Sequence, residues 1–260
     1  MITLVTELTR RPGTQMADLS AYLQGAFSAR AVGLGPHAGV QRFVLSTRIP
    51  DVDVDKFAEA RGWSAAPDAI LQFAFASATQ AEAALLAGEA GPLRAPELAA
   101  LLDEGRLSTF AATEREVFGT MGPAERWARS ESVDPPVKMV VQNWKKPDMD
   151  LEAFRLHWRD VHGALVSIHG PAMGYRRYVQ SQLSSDLRLE RSTRAASNRP
   201  YPDGGMAEVW WTSQARMKAD LATPAAAAAS AAMEVDEFNF VDPPRLTAFL
   251  AVEALVIGQP

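Results

Sequence analysis

The sequence contains no cysteine. Disulfide bonds, thiolate metal sites and cysteine nucleophiles are therefore excluded, and the stability of the fold must come from packing. The sequence also lacks a run of about 18 consecutive apolar residues, the length that a membrane span requires. Its first residues, MITLVTELTRRPG, do not show the basic and apolar regions of a signal peptide. We expect a soluble, cytoplasmic protein that does not bind a membrane.

An excess of positive charge is missing too. The 260 residues carry a formal net charge of -5, with 47% hydrophobic and 22% charged residues. This balance gives no electrostatic reason to bind nucleic acid or an anionic lipid surface, so both partners are disfavoured. The length fits one large domain or two small ones, and either can bury a proper core.

Several catalytic motifs are absent. The sequence has no phosphate-binding loop, no Rossmann glycine fingerprint, no G-x-S-x-G elbow and no H-E-x-x-H motif, so the commonest nucleotide-binding, hydrolase and zinc-peptidase functions lack their physical apparatus. Three of the four histidines, His157, His162 and His169, lie in one stretch between Val137 and Leu183. We expect the chemistry in that stretch.

The order of strands and helices repeats in the two halves. In the first half, alternating patterns predict strands at 2–8, 40–49, 69–76 and 108–117. Helices are predicted at 16–31, where Gly33, Gly35 and Pro36 end the pattern, and at 79–87 and 96–102. The segment around Trp63 reads as irregular. In the second half, strands at 137–144, 175–183, 206–212 and 246–257 enclose helices at 151–168 and 213–233.

This order predicts an α+β fold. Each half reads β-α-β-β-α-β, which is the ferredoxin-like unit, and the two repeats occupy residues 1–122 and 136–260. The polar segment from Gly122 to Pro136 is the expected boundary. Two such sheets packed face to face form an intrachain pseudo-dimeric α+β barrel with a ligand cavity between sheet and helices. The polar segment 184–204 is expected to be a lid or a solvated loop.

The helix at 151–168 carries an apolar stripe. The spacing of three and four residues places on one face Leu151, Phe154, Trp158, Val161, Leu165 and Ile168. His162 falls on the buried flank of this stripe, whereas His157 lies roughly 140° around a helix with 3.6 residues per turn. We therefore expect that these two histidines cannot hold one metal ion, and no metal site is predicted.

The motifs of the second half resemble a known family. The segments KKPDMDLEAFRLHWRDVHGALV, GYRRYVQSQ and GMAEVWWTS, followed by a strand with Glu253, are similar to the EthD family of the dimeric α+β barrel superfamily. The resemblance covers about residues 136–260, and the first half resembles a degenerate copy. It implies a cofactor-free fold whose relatives include proteins of ether degradation, polyketide cyclases, dehydratases and lactone isomerases.

Within this stretch, His162 is the leading candidate for a general acid or base, because histidine titrates near neutral pH. A core histidine bonded to a backbone carbonyl is the alternative. Tyr178 or Gln142 could polarise a substrate carbonyl. His157 and His169 are weaker catalytic candidates, and a packing, surface or capping role is the alternative for each.

A further set of polar and aromatic side chains could line the cavity and bind substrate. Because side chains alternate along a strand, these residues fall on shared strand faces or on the helix. The aromatic ones could equally be core residues. The set comprises Trp144, Gln142, Trp158, Gln180, Glu208 and Trp210.

Three hypotheses for function follow. The first is a cofactor-independent lyase, dehydratase, cyclase or isomerase for a small apolar aromatic, lactone-like or polyketide-like compound. The second is a non-catalytic accessory or binding protein of an oxidative degradation pathway. The third, implied by other members of the superfamily, is haem binding through a histidine, which a visible spectrum would reveal. A homodimer is kept open as a partner.

Overall fold

Eight strands form the centre of the molecule. The structure is a computed structural model that describes residues 1–86, 95–122, 125–127 and 134–258. The strands are β1 Ile2–Leu8, β2 Val40–Arg48, β3 Ala69–Phe75, β4 Ser108–Gly119, β5 Val137–Asn143, β6 Arg177–Leu183, β7 Gly205–Trp211 and β8 Thr247–Ile257. They pair antiparallel in a closed barrel with the order β1-β3-β2-β8-β5-β7-β6-β4. Closure removes the exposed edges that an open sheet would leave.

The same pairing pattern occurs in both halves of the barrel. In the first half β1 pairs with β3 and β4, and β2 pairs with β3. In the second half β5 pairs with β7 and β8, and β6 pairs with β7. The halves join through the β2–β8 and β4–β6 pairs, which close the barrel. The fold is therefore a mixed α+β barrel.

Helices cover the outside of the barrel. They are α1 Met16–Tyr22, α2 Ser28–Ala38, α3 Val52–Ala60, α4 Ala78–Leu86, α5 Pro96–Leu101, α6 Leu151–Leu156, α7 Gly163–His169, α8 Leu187–Ala195, α9 Gln214–Leu221 and α10 Pro224–Phe240. A π-helical segment Leu23–Phe27 joins α1 to α2, and a second, His157–His162, joins α6 to α7. Among the described helices, none is long and apolar enough to cross a bilayer.

Several local predictions were wrong. The first helix does not stop at Ala31 but continues as α2 to Ala38, and Gly39 ends it with a φ of 74° that favours glycine. The segment before Trp63, expected to be irregular, contains α3. Helix α10 extends beyond Met233 to Phe240. Much of the expected boundary between the halves, residues 123–124 and 128–133, lies outside the described residues.

The polar segment 184–204 is neither a lid over the site nor a loop without regular structure. Asp186 caps α8 by accepting hydrogen bonds from the backbone N–H groups of Arg188 and Leu189. The side chain of Leu189 is fully buried in the core of the first half. Ser192 donates a hydrogen bond to Glu82 of α4 over 3.1 Å. A helix of the second half thus covers the first half.

The interior of the barrel has an apolar layer and a charged layer. The apolar layer joins strands from both halves and comprises Val5, Ile70, Phe110, Ala112, Val140, Met206, Phe249 and Ala251. In the charged layer, Lys138 Nζ lies 2.5 Å from Glu208 and 2.6 Å from Glu253. All three side chains are buried, and the two carboxylates raise the pKa of Lys138 against the lowering effect of burial.

Candidate functional site

The histidine-bearing helix is interrupted by a π-helical segment. Asp150 caps its start, because its side chain accepts the backbone N–H of Ala153 over 2.7 Å. Helix α6 then gives way to the π-helical residues His157–His162, and α7 continues from Gly163. A π-helical turn bonds residue i to i+5, so it places residues five apart on the same face.

This geometry brings His157 and His162 to one carboxylate. His157 Nε2 lies 2.8 Å from Asp236 Oδ1, and His162 Nδ1 lies 3.0 Å from Asp236 Oδ2. The predicted separation of roughly 140° was wrong, because it assumed 3.6 residues per turn through the whole helix. The two histidines share a partner, although the described residues include no group of three or more side chains suited to holding a metal ion.

The π-helical segment also shifts the apolar stripe by one residue. Phe154 and Trp158 are fully buried, as expected. Beyond them, Val161 is 45% and Ile168 69% exposed, whereas Val166 is buried. The predicted stripe is therefore correct as far as Trp158 and shifted by one residue beyond it, and the shift places His162 toward the interior.

A cavity of about 510 Å³ lies between the barrel and the helices of the second half. The barrel contributes side chains that point outward from the strands, including Met139 and Val141 of β5 and Val209 of β7. Met233 and Phe240 of α10 form part of the opposite wall. The lining is mostly apolar, and the volume lies in the range of about 300–1,000 Å³ typical of small-molecule sites.

The first half supplies another part of the wall. Val54 of α3 and the following Arg61 and Trp63 line the cavity. Arg61 forms an ion pair with Glu234 of α10 over 2.8 Å. This contact links the two halves at the cavity, so the site is built by both of them.

Asp236 orients the His162 ring at the cavity wall. An ionised Asp236 carboxylate can only accept hydrogen bonds, so whenever the His162 ring is neutral its proton lies on Nδ1 and the lone pair on Nε2. Burial alone would raise the pKa of Asp236, but the hydrogen bonds and charges of His162 and His157 outweigh burial and lower it. Phe240 packs against both rings, with centroid distances of 5.1 and 4.8 Å.

Tyr178 presents a second polar group to the same cavity. The indole Nε1 of Trp158 donates a hydrogen bond to the Tyr178 hydroxyl oxygen over 3.2 Å. Because an indole can only donate, the hydroxyl keeps its own proton for another acceptor. Burial raises the pKa of Tyr178 to about 12, with hydrogen bonds from Gln180 and Trp158 offsetting part of the rise. Tyr178 therefore stays neutral and can donate at neutral pH.

Glu237 is a third titratable group in the cavity wall, and its pKa is shifted. It follows Asp236 on α10, is half-buried and lines the cavity. Burial raises the pKa of Glu237, while the charges of His162 and Arg61 act in the opposite direction and those of Glu234 and Asp236 add to the rise. Burial thus favours the protonated form of this carboxyl group.

The predicted site residues separate into those at the cavity and those elsewhere. His162 and Tyr178 line it, and His157 reaches Asp236 from beside it. Trp158 and Gln180 lie behind the wall, where Gln180 Nε2 donates to the backbone oxygen of Trp158 over 2.7 Å. These two side chains support Tyr178.

The remaining predicted residues lie in other places. Gln142 donates to Glu7, and Glu208 accepts from Gln72, so both point into the barrel interior. Trp210 lies there too, and its ring centroid is 4.5 Å from the guanidinium carbon of Arg177 and 5.2 Å from Lys138 Nζ. The remaining two residues are outside the barrel. Trp144 is covered by Arg245 at 3.6 Å, and His169 is partly exposed at the end of α7.

Asp236 and Glu237 were not among the site residues predicted from the sequence. The predicted helix ended at about Met233, whereas Asp236 and Glu237 lie three and four residues beyond it. A signal was present, because Met233, Asp236 and Phe240 follow one another at spacings of three and four residues. That spacing places a carboxylate on the buried apolar face of α10, where it requires a partner.

Comparisons with known proteins support this architecture. The sequence model of the EthD domain matches residues 146–244. This match lies in the second half of the chain, whose motifs indicated the same family. A comparison with curated proteins gave no significant match.

Solved structures share the complete fold at low sequence identity. An anthrone oxidase-like protein has a TM-score of 0.59 and 11% identity, covering 98% of this chain and 92% of that chain. A candidate monooxygenase from Fusobacterium nucleatum has a TM-score of 0.54 and 9% identity, with the same coverage. A candidate monooxygenase from Lactobacillus acidophilus NCFM has a TM-score of 0.50 and 11% identity, covering 98% of this chain and 94% of that chain. At these identities the similarity establishes the fold alone.

Proposed function

We propose that this protein is a cofactor-independent acid–base enzyme that acts on a small apolar compound in the cavity of its second half. The observation that carries the proposal is the His162–Asp236 pair. The carboxylate holds the ring through Nδ1, and the ring borders an apolar cavity with Nε2 as its remaining basic nitrogen. A carboxylate that orients a histidine in this way fixes its tautomer and stabilises its protonated form.

The chemistry that suits this pair is removal of a proton from a carbon atom next to a carbonyl group. His162 Nε2 takes the proton, and the electron pair moves onto the carbonyl oxygen. Tyr178 stabilises that oxygen by donating its hydroxyl hydrogen, which Trp158 does not use. Proton removal of this kind begins many lyase, dehydratase, cyclase and isomerase reactions on carbonyl compounds. Aromatic ketones, lactones and polyketide-like phenols have the size and polarity of substrates for this cavity.

Proton exchange tests this proposal directly. The protein would be incubated in D2O with aromatic ketones and lactones, and loss of the hydrogen next to the carbonyl followed by NMR. We expect exchange with the unmodified protein and its loss in His162→Ala. Tyr178→Phe should slow the exchange by about 10²–10³-fold, the effect of removing one donor to an oxyanion. Exchange at the original rate in His162→Ala would refute the assignment of the base.

A second candidate function is oxidation of the same carbanion by dioxygen. The similarity in fold to an anthrone oxidase-like protein favours this possibility. An anthrone deprotonated by His162 would consume one O2 and yield an anthraquinone and one water. An oxygen electrode separates the two functions, because an acid–base enzyme without oxidation exchanges protons but consumes no oxygen.

The other two hypotheses make different demands on the site. For a non-catalytic accessory protein, His162→Ala would bind ligands and retain full function. A haem would need His162 for its iron and cationic side chains for its two propionates. The cavity cations Arg61 and Lys218 already pair with Glu234 at 2.8 Å and Asp51 at 3.2 Å. The lining therefore fits a haem poorly.

We also infer that the two halves are ferredoxin-like repeats that arose by internal duplication. The support is the identical pairing pattern of β1–β4 and β5–β8 around the barrel. The boundary near residues 122–136, a cytoplasmic location and a homodimer remain predictions.

A further inference from the structure

Glu237 lines the same cavity as the proposed base, His162, but has no role in the proton removal described above. It is one position after Asp236, so its side chain leaves α10 about 100° around the helix from the side chain that holds the histidines. Asp236 therefore contacts His157 and His162, while Glu237 borders the cavity. The wall around it includes the apolar Val241.

The groups facing Glu237 come from several elements. His162 of the π-helical segment and Arg61, which follows α3, line the same cavity, and their charges oppose the rise in the Glu237 pKa caused by burial. Glu234 is on its own helix, and Arg61 directs its guanidinium to that carboxylate at 2.8 Å. Tyr175 and Tyr178 line the same cavity; burial raises the pKa of each hydroxyl group, and the charge of Glu237 adds to both rises.

We propose that Glu237 is the catalytic acid of this site and that the substrates are β-hydroxy carbonyl compounds, which the enzyme dehydrates. This inference rests on the proposed function of His162 as the base. A site with one proton-transfer group suits the movement of a proton between carbon atoms. A separate acid in the same cavity can in addition protonate a leaving hydroxyl group.

The step balances without any co-reactant. His162 Nε2 removes a hydrogen from the carbon atom that lies between the carbonyl carbon and the carbinol carbon. Tyr178 donates a hydrogen bond to the carbonyl oxygen. The electron pair forms the carbon–carbon double bond as the carbon–oxygen bond breaks, and Glu237 transfers its proton to the leaving hydroxyl. The products are a conjugated carbonyl compound and water. The proton on His162 then returns to the Glu237 carboxylate through water.

The aldol adduct of benzaldehyde and acetone is a suitable probe, because its dehydration product, benzylideneacetone, absorbs in the near ultraviolet. Two reactions would be followed on the same sample. Hydrogen exchange in D2O reports the base, and enone formation reports the acid. Glu237→Gln should lower dehydration by at least about 10²-fold more than it lowers exchange. Glu237→Asp should recover part of the dehydration, and the exposed-site control Glu152→Gln should show the full rate of the unmodified protein.

The pH profile gives an independent readout. Burial raises the pKa of Glu237, so its protonated form persists to a higher pH than for an ordinary glutamate. Dehydration by the unmodified protein should fall as pH rises through that pKa. In Glu237→Gln this alkaline fall should be absent from the residual rate, and proton exchange should not show it in either protein.

Each remaining outcome contradicts a specific part of the argument. If the unmodified protein exchanges hydrogen but forms no enone, the proposed base stands and the role of Glu237 is wrong. Dehydration by Glu237→Gln at the original rate would also mean that Glu237 is not the acid. If folded Glu237→Gln loses exchange as well, the residue acts by positioning His162. If the unmodified protein does neither, the proposed function fails together with this inference.

Discussion

Replacing Asp236 by asparagine tests the centre of the site without changing its shape. The carboxylate accepts one hydrogen bond from His157 and one from His162. An amide has one acceptor oxygen and one donor nitrogen, so it can accept from only one of the two rings. If the amide nitrogen faces His162, Nδ1 must accept and the proton moves to Nε2, which then cannot act as a base.

The expected magnitudes follow from these contacts. Hydrogen bonds to charged groups contribute about 1.5–3 kcal/mol each, and neutral ones about 0.5–1.5 kcal/mol. Neutralising an acceptor of two such bonds should therefore lower the free energy of unfolding by about 2–3 kcal/mol. In Ser-His-Asp triads the same substitution lowers kcat by about 10⁴-fold through the wrong tautomer. We expect proton exchange to fall by about 10²–10⁴-fold.

The pH dependence of this loss has a definite sign. The pKa of Asp236 is lowered in the folded protein, so its contribution to stability is present above the unfolded value of about 3.9 and is lost as pH falls through the folded pKa. Urea unfolding should show the full difference at pH 7 and a shrinking difference below about pH 4.

Asp160→Asn is the matched control for Asp236→Asn. Asp160 lies in the same π-helical segment as the histidines but is exposed and paired with its neighbour Arg159 at 2.7 Å. Its replacement should leave the unfolding curve and the exchange rate nearly unchanged. An Asp236→Asn protein as stable as the original at pH 7, with a difference independent of pH, would mean that Asp236 is not the ionised partner of the two histidines.

Two further predictions concern the barrel and its cover. Leu189→Ala should lower the free energy of unfolding by about 2–5 kcal/mol because the side chain is fully buried in the core of the first half. In the same urea titration, Leu187→Ala, at a position 70% exposed, should change little. Lys138→Met should cost about 3–5 kcal/mol, because Glu208 and Glu253 would keep buried charges without their cation. Replacing both glutamates by glutamine in that variant should recover stability, and no recovery would contradict the ionic explanation.

The strands could be predicted closely because their patterns reflect burial. Residues 40–49 and 69–76 were predicted as strands, and the structure has Val40–Arg48 and Ala69–Phe75. The face of each strand that lines the cavity could not be predicted in the same way. All seven residues of β3 are buried, because one face meets the barrel interior and the other meets helices. When both faces are buried, alternation no longer distinguishes them.

The site depended on a feature that local sequence patterns do not specify. One π-helical turn moves His162 onto the side of Asp236 and leaves Val161 exposed. The π-helical turn departs from regular α-helical geometry. Its residues contact α10, and these contacts include the two hydrogen bonds to Asp236. Asp236 is 74 residues from His162 and 79 residues from His157 in the sequence. Helical periodicity within 151–168 contains no information about these contacts.

The exchange of parts between the halves means that the site in the segment matching the EthD domain also includes residues of the first half. The match to that domain covers residues 146–244, and His162, Tyr178 and Asp236 all lie within it. Yet Arg61 and Trp63 of the first half form part of the cavity wall, and Leu189 of the second half fills the core of the first. The barrel itself closes only through the β2–β8 and β4–β6 pairs. Residues 136–258 alone would expose the apolar cavity wall and two unpaired strand edges, β6 and β8, so the first half contributes to the site although it carries none of the proposed proton-transfer groups.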